Sequence, residues 1–69
     1  MDNSLDISDY VKQIDFYASR LFSDELRAKD WKYRKNDAFG GLSAMRYIEQ
    51  HGEKGAIKVR DHIRAVVYG

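Results

Sequence analysis

The chain contains no proline, and its first glycine is Gly40. Proline removes a backbone donor and breaks helices, and glycine is the residue that most readily takes a sharp turn. Nothing therefore interrupts the first half of the chain. Within it Ile7, Tyr10, Val11, Ile14, Tyr17, Ala18, Leu21 and Phe22 recur three and four apart, the spacing of one face of a helix. The pattern predicts a helix over 7–22. Asp6 is placed to cap it, and Leu5 to meet Tyr10 as a hydrophobic staple.

Ser23 followed by Asp24 and Glu25 reads as a second start, with acids where the helix dipole favours them. Glu25–Lys29 and Asp30–Arg34 are ion pairs four apart in the favourable order. The apolar stripe is sparse here (Leu26, Trp31, Tyr33), so this element is either a second helix or the first one continued past a kink. Asn36 or Asp37 then caps a third helix over 38–51, with Ala38, Leu42, Met45 and Ile48 on one face. Gly40 and Gly41 inside it each cost about 1 kcal/mol in propensity. They point to close approach by another backbone, or to a later start near Ser43. Gly52 fits a left-handed helix end, with His51 beside the terminal carbonyls, and a loop Gly52-Glu53-Lys54-Gly55 follows.

The last segment fits two patterns. Ala56, Val59, Ile63, Val66 and Val67 match a helical face, while Ile57, Val59, Ile63, Ala65 and Val67 match a strand face. Its β-branched content favours a strand, but its length favours a helix. The expectation is one small all-α domain over 1–69, a bundle of three to four helices. The alternative is α+β, with 56–67 a strand paired to 30–35.

A chain of 69 residues makes a thin core. Nine aromatics (one Trp, five Tyr, three Phe) enlarge it, and oligomerisation is a usual remedy, so a homodimer is expected. Without cysteine there is neither a disulfide framework nor a thiolate metal site. The start is acidic, unlike a secretory leader, and no apolar run approaches a membrane span, so the expectation is a soluble cytoplasmic protein with no membrane partner.

Catalytic constellations are missing from the sequence, and the reading is non-enzymatic, with no cofactor and no metal. Phe39-Gly40-Gly41-Leu42 lacks the spacing and the Lys-Ser/Thr of a phosphate loop. The serines have no nucleophile context, and His51 and His62 are eleven apart, so they do not pair on one helix face.

Charge is uneven. Residues 1–26 hold six acids and two bases, and residues 27–69 hold ten bases and five acids. Arg27, Lys29, Lys32, Arg34 and Lys35 cluster with Trp31 and Tyr33 interleaved, the composition of a nucleic-acid surface. The segments 38–51 and 56–67, joined by four residues, also have a helix–turn–helix outline that presents Lys58, Arg60, His62 and Arg64. A net charge of +1 and the absence of Asn or Gln on the last segment weigh against that alternative. Interface hot spots are enriched in Trp, Tyr and Arg, and Trp31, Tyr33 and Arg34 lie together in sequence. Phe16 projects opposite the main stripe, and Ile57, Asp61, Arg64 and Tyr68 form a second stripe on the last helix. The resulting expectation is a regulator or inhibitor that covers a surface of a larger protein through Trp31, Tyr33, Arg34, Phe16, Ile57, Arg64 and Tyr68.

Overall fold

The computed structural model describes residues 6–69. In order they form α1 (Ile7–Leu21), α2 (Glu25–Asp30), a 3-10 turn continuing α2 (Trp31–Tyr33), a second 3-10 turn (Asp37–Phe39), α3 (Ala44–His51) and α4 (Glu53–Tyr68). The fold is all-α. Among the described residues the nearest thing to a sheet is one isolated antiparallel bridge, Lys35 to Ser43. The strand alternative for 56–67 is overturned, because those residues lie wholly inside α4.

α1 follows its stripe. Tyr10, Ile14 and Ala18 are buried, and the Asp6 N–H donates to Asp9 Oδ2 at 3.1 Å across the first turn. The staple expected from Leu5 lies outside the described residues. α2 is a separate helix rather than a continuation, because Phe22 is extended and the chain re-enters a helix at Asp24. Asp24 is the cap, in place of the expected Ser23: its Oδ1 accepts from the Leu26 N–H at 2.9 Å. Both four-apart pairs form, Glu25 with Lys29 and Asp30 with Arg34.

The single helix expected over 38–51 is instead a closed loop followed by α3. Asn36 Oδ1 accepts from the Ala38 N–H at 2.9 Å and opens the 3-10 turn. Its backbone N–H donates to the Leu42 carbonyl at 3.0 Å, which ties the loop shut. Gly40 and Gly41 both have positive φ with open space where a Cβ would stand. They are there to turn the chain, and no neighbouring backbone comes close. The later start then holds: Ser43, buried, caps α3 by accepting from the Arg46 N–H at 3.1 Å.

The expected four-residue loop at 52–55 does not exist. Gly52 alone joins α3 to α4, at φ 65° and ψ −140°, a backbone state that side-chain-bearing residues rarely take. Three residues on, Gly55 is buried against α3: a Cβ there would stand 2.8 Å from His51 Cβ and 3.0 Å from the Tyr47 carbonyl oxygen. The two helices can meet this closely only because position 55 has no side chain.

The core takes Tyr10, Ile14 and Ala18 from α1, Ala28 from α2, Phe39 from the loop, Ala44 and Ile48 from α3, and Ala56, Val59 and Ile63 from α4. Ile14, Val59 and Ile63 are its largest fully buried side chains, each stabilising by about 1.5–3 kcal/mol. α1 and α4 lie side by side and run in the same sense, since Gln13 meets Arg60 and Tyr17 meets Tyr68. No helix among the described residues is long and apolar enough to cross a membrane.

Candidate protein-binding site

The helical run from Glu25 to Tyr33 has two working faces. Arg27, Trp31 and Arg34 follow one another at four and three residues and come to one side of the run. Phe22, at the turn out of α1, adds a second aromatic wall. Together these four side chains line a groove of about 350 Å³. Its floor is held from within: Trp31 is half-buried and meets Phe39 edge-to-face at 6.3 Å between centroids. Phe39 is only 2 % exposed and also packs on Tyr47 at 5.3 Å and His62 at 5.2 Å. The ring in the groove therefore rests on a ring fixed by α3 and α4.

On the rim, Arg34, extended just past the run, is exposed and pairs with Asp30. Arg27 is exposed, and among the described residues no carboxylate lies within ion-pair distance of it. The rim is positive and the floor aromatic.

The opposite side of the same run forms a second groove with α1, of about 400 Å³, lined by Asp15, Ser19, Glu25, Ala28, Lys29, Lys32 and Tyr33. Here the Lys32 ammonium sits 3.0 Å from Asp15 Oδ1 and donates to Oδ2 at 3.3 Å. The Lys32 side chain is only 13 % exposed, so this cation is spent on holding α2 to α1.

The structure thus divides what the sequence groups together. Trp31 and Arg34 share a groove, while Tyr33, 65 % exposed, stands on the other one under the Lys32 ammonium. Of the five-cation run, Arg27 and Arg34 face one way and Lys29 and Lys32 the other. Lys29 is paired with Glu25, and Lys35 sits at the bridge to Ser43. On α4, Lys58 lies over the Tyr47 ring at 5.5 Å. Arg60 reaches inward to Gln13 and over the Tyr10 ring, and at the surface it pairs with exposed Asp61. The four-residue connection of the helix–turn–helix outline is replaced by the single Gly52.

Phe16 is 51 % exposed and Tyr68 63 % exposed. Tyr17 links them, edge-to-face with Phe16 at 5.5 Å and with Tyr68 at 5.8 Å. Ile57 departs from the outward stripe expected of it: it is half-buried and packs on the core. Arg64 is exposed beside Tyr68.

His51 ends α3 and stacks on Tyr47 at 4.3 Å, and His62 packs on Phe39. Among the described residues no three His, Cys, Asp or Glu side chains come together as a metal site. Two groove residues, Phe22 and Arg27, were not among the protein-contacting residues expected from sequence. The signal for Arg27 was its spacing to Trp31 and Arg34. Phe22 joins only through the turn between α1 and α2. No protein-family model, curated protein or solved structure matches this chain.

Proposed function

We propose that the chain is a non-enzymatic, protein-binding regulator that acts by covering a surface of a larger partner in the cytoplasm. The supporting observation is the groove that Trp31 lines together with Arg27, Arg34 and Phe22. Trp and Arg are the residues that most often dominate binding energy, and they do so where a desolvated pocket is ringed by polar contacts. The indole already packs edge-to-face on Phe39, which lowers the side-chain entropy it would lose on binding.

Affinity purification from the native host, followed by reconstitution with the purified candidate, tests this. Wild-type protein should retain a protein that Trp31→Ala loses while its helical circular dichroism persists. Co-purification of nucleic acid with no protein partner would replace this reading with the nucleic-acid alternative. In that case binding would weaken steeply with salt. The division of the basic run between two faces, with Lys32 engaged by Asp15, leaves that alternative a poorer platform for a phosphate backbone.

The exposed rings of Phe16 and Tyr68, joined through half-buried Tyr17, support a second contact, between two copies of this protein. Light scattering at micromolar concentration should give twice the mass of the chain, and Phe16→Ser should return it to a monomer. A wild-type monomer whose melting is independent of concentration would remove the dimer from the reading.

A further inference from the structure

We infer that the groove of Phe22, Arg27, Trp31 and Arg34 takes an acidic segment of the partner, with one apolar side chain seated on the rings and a carboxylate on either side of it. The inference rests on the protein-binding reading above and names the chemistry of the occupant. Size comes first. At about 350 Å³ the groove lies at the low end of the range for small-molecule sites, which suits one large side chain. Charge decides the flanks. Arg27 and Arg34 are seven residues apart in the chain, one in α2 and the other extended just past the 3-10 turn, and both line the groove. Both share that lining with Trp31, so an anchor on the indole has two guanidinium groups within the same groove. Guanidinium groups bind carboxylates through parallel hydrogen bonds, and Arg27 has no such partner among the described residues. The contact of Arg34 with Asp30 is an exposed pair of the kind worth little, so a second carboxylate can displace or join it. Two separated cations match two side-chain carboxylates. A nucleic acid would call on a continuous cationic track, and Lys29 and Lys32 face the other groove.

Trp31 is the chain's one tryptophan and lines the groove, so its fluorescence reports there. A library of random twelve-residue peptides would be selected on the immobilised full chain. The enriched peptides would then be synthesised and titrated while the Trp31 emission is followed. The expected winners carry Asp or Glu on both sides of a Leu, Phe or Trp, and shift the Trp31 emission saturably. Their affinity should fall about tenfold or more with Arg27→Glu. Replacing their acids by Lys should abolish binding to the wild type and restore it to the Arg27→Glu, Arg34→Glu double variant. Uncharged or basic winners that shift Trp31 emission would overturn the acidic occupant while leaving protein binding in place. Winners that leave the emission unchanged and still bind Trp31→Ala would overturn the groove as the site. A single-stranded oligonucleotide that shifts the emission where no peptide does would overturn both readings.

Discussion

The α1–α4 pair and the segment from Phe22 to Ser43 are built on different terms. The pair is long and regular, and it is held by Ile14, Val59 and Ile63, with Arg60 reaching from α4 to Gln13 and Tyr10 of α1. The segment has one short helix, two 3-10 turns and a tied loop, and it buries only Ala28, Phe39 and Ser43. It is held instead by caps at Asp24 and Asn36, by the Lys32–Asp15 bridge and by the contacts of one phenylalanine. Most of the buried apolar side chains belong to the first region, and the candidate groove lies in the second. Trp31 stays only half-buried there, and the segment relies on directional contacts where the pair uses area.

Phe39→Ala attacks the comparison at its joint and should have the largest effect. Removing a buried aromatic costs about 3–5 kcal/mol. A domain of this size has a total stability of roughly 3–10 kcal/mol, so the variant should be largely unfolded in thermal melts. Phe39→Leu keeps the fold testable. It should lose less and should loosen Trp31, seen as a red-shifted, more easily quenched emission without loss of helix. An unchanged emission would show that Trp31 does not depend on its inner neighbour.

Next comes Ile63→Ala, expected to cost about 2–5 kcal/mol in urea unfolding. If the two regions are as distinct as described, the midpoint should fall while the native-state Trp31 emission stays the same. Gly55→Ala should destabilise by about 1–3 kcal/mol even though alanine is the better helix former by about 1 kcal/mol. The steric term wins because the new Cβ meets His51 Cβ and the Tyr47 backbone, neither of which is the end of a flexible chain. A stabilised Gly55→Ala would show that α3 and α4 have room to part.

Asp15→Asn should cost about 1–2 kcal/mol, because it leaves the largely buried Lys32 ammonium without its counter-charge. Glu25→Gln, which removes an exposed pair on the same groove, should change the melt by no more than about 0.5 kcal/mol. Equal effects would mean that the bridge to α1 does no more than a surface pair.

α1 could be read from sequence almost to the residue, because its stripe, its cap and the lack of breakers all agree. α4 could be read too, although only length separated it from a strand, since Val59, Ile63 and Val67 satisfy both periods. The region between was harder for a physical reason. Its structure depends on positive φ at Gly40 and Gly41 and on a hydrogen bond from Asn36 to Leu42, and neither leaves a periodic trace. Phe39 gave no sequence sign of being the hub, because its neighbours come from three elements. The i, i+4, i+7 spacing of Arg27, Trp31 and Arg34 was visible. That Lys32 would be drawn away to Asp15, seventeen residues earlier, was not, because it depends on how α2 packs against α1.

The one-residue junction at Gly52 also orders events in time. Helices joined by a single residue meet without closing a loop, so α3 and α4 gain their contacts at almost no search cost. The pairing of α1 with α4 is the opposite case: Gln13 and Arg60 are 47 residues apart in the chain. Such non-local contacts are slow to form. The α3–α4 hairpin should therefore be the nucleus of folding, with α1 docking last and leaving first. Substitutions at Ile48 should slow refolding, and substitutions at Ile14 should mainly speed unfolding.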